Sequence, residues 1–584
     1  MDAGEKELRV RVVEPVADAV RGSAAVAGQA ASRLHAAADM AFLSAMTLVS
    51  LAFYVGRLGF YYDDYSLLGR MDASEDRSLL GYYNAVKEGY GERPVAAFGF
   101  ATLYRLFGLD PLGYHLANAA MLVAVALILY LVLRELRLPR LVSVAVPLVY
   151  LTLPHYATAR FWAELVNANL SIALYLVSLY AGLRAVRAPS YARVGWLALV
   201  TLAIAATMFT YELVVPLFLL NAVLVWWTGR RAEQRGAWLV IAAILGTLVV
   251  AGAVKAAIVA EGGQNGYEIG LESGVPHQLA YLVSGVIKLN LGTYLLALPY
   301  VLWWIVENRF SALDAAVAAA IGLAAFLYLR RLGDRDRSAF AATATWRALV
   351  VVGVITVVLG YAIFVTTQTI LFRSAGIDNR LNAGAALGVA GILVGLIGFG
   401  AGRLDARRSV TAFSAAVACS VACGVLMINS LASFWTSAAE KQRAILGSIR
   451  EDIGPLPTST TIILDGSCPE IGPAVVFAGE WDLMGALRLA HQDRSLTADV
   501  ASEGMRTTRD GLTIVTIPVD SRFERTYRYG NGLIVYDYAT RRAYRLPNRR
   551  AAARYVTQMR PSFSCPRQRS FAWGFDPWRR LSLL

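Results

Sequence analysis

The sequence is poor in the residues from which most catalytic and metal sites are assembled. Its 584 residues include four cysteines and five histidines, and no HxH or HExxH spacing occurs. That excludes the helix-borne histidine motifs of the common zinc enzymes. Charged residues make up 17% of the chain, against about a quarter in soluble proteins, so a wholly soluble fold is excluded as well. A repeat of fixed period is lacking, which argues against the paired halves of many transporters. The polar C-terminal part has no nucleophile motif, glycine-rich phosphate loop or metal pattern. Of the cysteines, Cys419 and Cys423 lie four apart in an apolar run and share a helix face, where they pack. Cys468 and Cys565 lie in the polar part, and a disulfide between them is open if that part is outside the cytoplasm.

What the chain does have is long apolar runs. It is 57% hydrophobic with a mean hydropathy of +0.49, and runs of about 18 residues or more are the mark of membrane-spanning helices. Spans are expected near 38–56, 115–133, 141–153, 166–183, 194–209, 213–228, 237–260, 312–329, 346–370, 380–402 and 409–431. The stretch 277–306 is either two short helices or a re-entrant segment. The net charge of +13 is no sign of nucleic acid. It sits in short clusters between spans, such as Arg134, Arg137 and Arg140, or Arg403, Arg407 and Arg408, as the positive-inside rule expects of cytoplasmic loops. The fold class is therefore an all-α polytopic membrane protein of about 11–13 helices with a C-terminal soluble α/β domain outside the cytoplasm. Residues 1–37 form a cytoplasmic tail, 38–431 the membrane domain with a large first outer loop at 57–114, and 432–584 the soluble domain. A plasma membrane, bacterial, is the expected location.

The first outer loop opens with "GRLGFYYDDYSLLGR", Gly56 to Arg70. It places Asp63 and Asp64 among three tyrosines where a helix leaves the bilayer. Two adjacent carboxylates at a half-buried boundary raise each other's pKa, so one could serve as a general base. The bland reading is that they cap the following helix. Further on come "ERP" at Glu92–Pro94, "LFGLDPLGYHLAN", "LPHYATARFWAELVNANL" and "FTYELVVPLFLLN".

The long first outer loop, its acidic pair and these later segments together resemble the GT-C superfamily of integral-membrane glycosyltransferases. The likeness covers residues 38–225 by motif. It implies sugar transfer, with inversion, from a polyprenyl-phosphate-linked donor to a glycan, lipid or protein acceptor of the cell envelope. Membrane lipid is then a partner and nucleic acid is not. The resemblance makes Asp63 or Asp64 the catalytic carboxylate, Asp63 preferred, with Mg or Mn as the metal if one is used. Candidates for the donor phosphate or the substrate are Arg93, His155, Arg160, Trp162, Glu164, Glu212, Lys288 and Arg380, with Arg373 beside them. Arginine's planar fork suits a phosphate diester. Arg380 starts a span on the side where basic residues are rare, and Lys288 lies inside an apolar stretch, where an ionisable group is costly. Each has a plainer role open to it: snorkelling for Arg380 and Lys255, belt anchoring for Trp162, capping for Glu212, packing for His155. The alternative from another class is a lipid or glycan transporter or assembly protein without catalysis.

Overall fold

The structure, a computed structural model, describes residues 33–229, 234–262, 274–296, 299–300, 302–303, 311–336, 340, 343–366, 372–516 and 523–560. Among these, eleven helices are long and apolar enough to cross a membrane. In chain order the helices used below are α1 (Arg33–Arg57), α2 (Asp63–Asp72), α3 (Leu79–Tyr90), α4 (Pro94–Phe107), α5 (Pro111–Glu135), α6 (Arg140–Thr152), α7 (Ala163–Arg187), α8 (Ser190–Met208), α9 (Glu212–Gly229), α10 (Gln234–Ala260), α11 (Val275–Leu296), α12 (Ala312–Arg335), α13 (Thr343–Val365), α14 (Ile377–Ala401), α15 (Ala406–Ile453) and α16 (Glu480–His491). The protein is thus an integral membrane protein with a small polar domain.

The helices start where local chemistry lets them. Ser78 caps α3, Asp110 caps α5 ahead of Pro111, and Asp405 caps α15, each accepting from a backbone N–H of the first turn. Helix α6, only 13 residues, is buried on every side from Leu141 to Thr152, which fits its apolar composition all round. Helices α13 and α14 meet along glycines, Gly353 and Gly360 facing Gly388 and Ala385, because small residues let two backbones approach closely.

At one end of the bundle Asp39 of α1 is fully buried. It accepts from Arg140 through two nitrogens (2.6 and 2.7 Å), from Tyr130 Oη (2.8 Å) and from Tyr328 Oη (2.7 Å). This network ties α1 to α5, α6 and α12. The opposite end of α1 carries the loop to α5, and the loop is structured: α2, α3 and α4 pack together around Leu68, Val86, Ala97 and Phe100.

Three features differ from the sequence expectations. The expected stretch 277–306 begins with a single 22-residue element, α11, whose second half has π geometry; most of 297–306 lies outside the described residues. Gln278 of α11 donates to Phe364 O (3.3 Å), and Tyr294 near its other end donates to Ser374 O (2.9 Å). Phe364 and Ser374 are at the adjoining ends of α13 and α14, so these two contacts of α11 both lie at one end of the bundle. Second, the last span does not stop near 431. Helix α15 runs 48 residues to Ile453 and forms a stalk for the polar domain. Tyr536 Oη and Arg541 bond Asp452 on it at 2.6–2.9 Å, and Gln442 Nε2 donates to Val476 O (2.7 Å). Third, residues 33–37, inside the expected tail, are already helical. The Cys468–Cys565 pairing falls outside the described residues, since Cys565 is not among them.

The polar domain has the α/β composition expected. Strands β1 (Thr461–Asp465), β4 (Thr497–Val500), β8 (Gly530–Asp537) and β9 (Arg542–Leu546) form one sheet in the order β4-β1-β8-β9. The first three are parallel and β9 is antiparallel. Helix α16 connects β1 to β4 and packs on α2. The two helices run side by side through a glycine contact: a Cβ on Gly69 would stand 3.4 Å from Gly485 Cα. The polar domain thereby sits against the first loop.

Candidate active site

Helix α2 begins on the two acids. Tyr62, just before them, has φ 51° and ψ −118°, a left-handed setting that a bulky residue rarely adopts. This turn sends the neighbouring carboxylates in different directions. Asp64 is fully buried, and both of its oxygens are engaged: Tyr61 N donates to Oδ2 (2.9 Å) and Glu164 N to Oδ1 (3.0 Å). It locks the start of α2 to the start of α7. Asp63 is half-buried and makes no hydrogen bond among the described residues. Burial pushes its pKa up to about 7, Glu164 adding to the rise and Arg380 opposing it. Burial also holds Asp64 well above the ordinary carboxylate range.

Rings gather at Tyr62, the residue before Asp63. Tyr62 lies edge-on to Trp162 (5.7 Å) and to Trp481 (5.3 Å), and the Arg380 guanidinium stands 5.0 Å over the Trp162 ring. The indole Nε1 atoms of Trp162 and Trp481 are buried with no hydrogen-bond partner among the described residues. Asp482, next to Trp481, accepts from the N–H groups of Ala478, Gly479 and Leu483 (2.6–3.0 Å). Burial pushes its pKa to about 7, with Asp63 contributing. Trp481 and Asp482 come from the polar domain, and nothing in "EWDLMGALRLAHQ" beyond an amphipathic pattern marked them.

The other sequence candidates divide clearly. Glu164 and Arg380 are beside Asp63, and Trp162 is under Arg380. Arg93 and Glu212 are brought together with each other: Arg93 Nε donates to both Glu212 oxygens (3.1 and 3.0 Å), and its guanidinium stacks 4.9 Å over Tyr211. Lys255 does not snorkel; its Nζ bonds Glu212 and donates to Met208 O (3.0 Å). Arg93 and Arg380 are the two cations whose charge acts on Glu164. Arg373 pairs with Asp378 at 3.6 Å.

His155 and Arg160 are placed elsewhere. His155 is buried, stacked 3.6 Å on Tyr294. Burial lowers its pKa to about 3, so it is neutral and offers a phosphate no charge. Its carbonyl accepts from Asn379 (2.8 Å), part of a knot that also joins Thr158 to Gly376. Arg160 is 2% exposed and lies against Tyr54 and Tyr156, and it is absent from the charges acting on Asp63. A single polar chamber joining Asp63, Arg160 and Arg380 is therefore not what forms; Arg380 joins Asp63 and Arg160 does not. Lys288 is exposed on α11, away from the acids.

Asp63 and Glu164 are two carboxylates served by arginines. No group of three or more His, Cys, Asp or Glu side chains converges among the described residues, and each Asp64 oxygen already accepts one backbone N–H.

No family model matches the chain, and no curated protein matches it. Among solved structures it is similar to ArnT from Cupriavidus metallidurans bound to undecaprenyl phosphate, at 14% identity and a TM-score of 0.38, over 79% of this chain and 85% of that one. The apo form of the same protein gives 14% identity and a TM-score of 0.36, over 82% and 87%.

Proposed function

We propose that the chain is an inverting membrane glycosyltransferase that moves a sugar from a polyprenyl-phosphate-linked donor to a hydroxyl of a cell-envelope acceptor. One observation carries this reading. Of two adjacent acids one is tied down by backbone N–H groups, while the other waits half-buried, with a pKa near 7, next to the Tyr62 ring cluster and under the charge of Arg380. A structural acid pair has no use for that division of labour.

In this reading the Asp63 carboxylate accepts the proton of the acceptor hydroxyl. The hydroxyl oxygen forms its bond to the anomeric carbon as the bond from that carbon to the phosphate oxygen breaks. The electron pair leaves with the phosphate. Its added charge is met by Arg380, with Arg93 one step further off, in surroundings where water screens little. Attack opposite the departing phosphate inverts the anomeric centre. The charge of Glu164 attracts Arg380 and raises the basicity of Asp63. This step uses only these side chains.

Topology supports the same picture. If α11 stays at that end of the bundle without crossing, the crossings are α1, α5–α10 and α12–α15. That puts the arginine clusters on one face, which the positive-inside rule makes cytoplasmic, along with the N-terminus. The acids, the recess and the polar domain then face outward, where a lipid-linked sugar and an envelope acceptor meet.

The test is a panel of polyprenyl-phosphate sugars given to purified protein with and without chelator. Release of free polyprenyl phosphate with a glycosylated product is expected, unchanged by chelator. Asp63→Asn should lower turnover by about 10²–10⁴-fold at an unchanged melting temperature. A normal envelope glycan in cells carrying only Asp63→Asn overturns the assignment.

A further inference from the structure

A second feature lies where the polar domain meets the first loop, at the far end of the α2–α16 pair from Asp63. A cavity of about 310 Å³ opens there, lined by Gly69, Asp72, Ala73, Arg77, Arg488, Leu489, Gln492 and Arg494. Asp63 and Asp72 are the first and last residues of α2. At 1.5 Å per residue the cavity is thus roughly 13 Å along the helix from the acid recess.

Its lining holds three guanidinium groups and one carboxylate. The carboxylate is already engaged: Tyr104 Oη donates to Asp72 Oδ1 (3.1 Å), and Arg77 stands 3.9 Å from the same oxygen. Arg488 is fixed at the cavity edge because its Nε donates to Leu496 O (2.8 Å). Arg494 has no ion-pair partner among the described residues. Asp72 stands against Arg77 and Asp493 acts on Arg488, so Arg494 is the guanidinium left without an ion pair among the described residues, and the lining keeps more positive than negative charge. An oxyanion would offset that excess and match the planar donor fork of arginine.

We propose that this cleft is a phosphate-binding site, built jointly by the first loop and the polar domain and separate from the acid recess. It does not depend on the glycosyltransferase reading. The phosphate can be a free anion or a phosphodiester carried on a glycan chain. A phosphodiester-bearing chain held here would be anchored on the same two helices that frame Asp63.

The experiment is titration of the full-length protein in detergent micelles with inorganic phosphate and, in parallel, with a short glycerol-phosphate oligomer, followed by calorimetry. Binding is expected to weaken with added salt. The double variant Arg488→Gln/Arg494→Gln should lose about tenfold or more in affinity, as removal of two charge-assisted contacts implies. Both positions are at the surface, and a melting curve that overlays wild type shows that the fold is kept. Asp63→Asn should bind as wild type does, which separates this site from the acid recess. Saturation by phosphate alone assigns the cleft to the free anion, and saturation by the oligomer assigns it to a phosphodiester. Equal affinity in wild type and the double variant, or no saturation by either probe, overturns the proposal.

Discussion

An acid lies toward each end of helix α1, Asp39 buried within it and Asp63 half-buried just past it, and both sit among tyrosines. Asp39 is saturated: an arginine fork and two phenols fill its oxygens, and four helices meet on it. Asp63, just past the other end, has rings and a nearby guanidinium around it but no direct hydrogen bond among the described residues. Burial is the cost at both places, and only at Asp39 does the protein offset it fully. A buried charge compensated on all sides is architecture. One left uncompensated, with its proton equilibrium moved toward neutrality, is the sort of group an enzyme keeps for chemistry.

The comparison breaks if the two acids respond alike to mutation. Asp63→Asn should abolish most turnover while leaving the melting temperature in place, as set out above. Asp39→Ala should do the reverse. It strands Arg140, 19% exposed at its side chain, and removes the acceptor of two tyrosines. Loss of one partner of a buried pair costs about 3–5 kcal/mol. Thermal unfolding in detergent should show that loss, while transfer per folded molecule stays near wild type. If Asp39→Ala spares stability and kills transfer, the division between the two ends of α1 is wrong.

Acidity sharpens it further. Asp63 accepts a proton only when ionised, and its pKa near 7 is above the usual carboxylate value. Activity, as kcat/KM, should therefore climb about tenfold per pH unit below neutrality and level off above it. A base with an ordinary pKa would have levelled off near pH 4. Asp482, pushed into the same range by burial, also feels Asp63. Arg380 lowers the pKa of Asp63 and Glu164 raises it. Arg380→Gln should move the rising limb to higher pH and Glu164→Gln to lower pH. Shifts of the same sign would place the base elsewhere.

The sequence makes the membrane architecture and the acid pair readable for physical reasons. Apolar runs and arginine clusters are local signals, and two acids at a helix exit stand out against an apolar background. Which acid is free is not readable, because it turns on the backbone of Tyr62, whose φ no pattern announces. The partnership of Arg93, Glu212 and Lys255 is also hidden, since residues 93, 212 and 255 meet only through packing of three separate helices. His155 misleads because a histidine near an outer loop reads as available, whereas stacking on Tyr294 buries it. The least visible members are Trp481 and Asp482, over 400 residues from the acids they adjoin and in a domain whose own sequence shows no site.

Trp481 gives the smallest effect and the most direct test of whether the polar domain takes part in the acid recess. Its ring meets Tyr62 edge-on, and its Nε1 is a buried donor without a partner among the described residues. An unpaired buried N–H is costly unless something supplies an acceptor, and a sugar hydroxyl is such a group. Trp481→Phe keeps most of the ring contact and removes the donor, while Trp481→Ala removes both. If the indole binds sugar, KM for the donor or acceptor should rise about threefold to tenfold in Trp481→Phe, and further in Trp481→Ala, with kcat nearly unchanged in the first. If it merely props Tyr62, Trp481→Phe should be silent, and Trp481→Ala should lower kcat by letting the turn before Asp63 relax. The split between KM and kcat thus decides whether the polar domain is a wall of the recess or only a brace behind it.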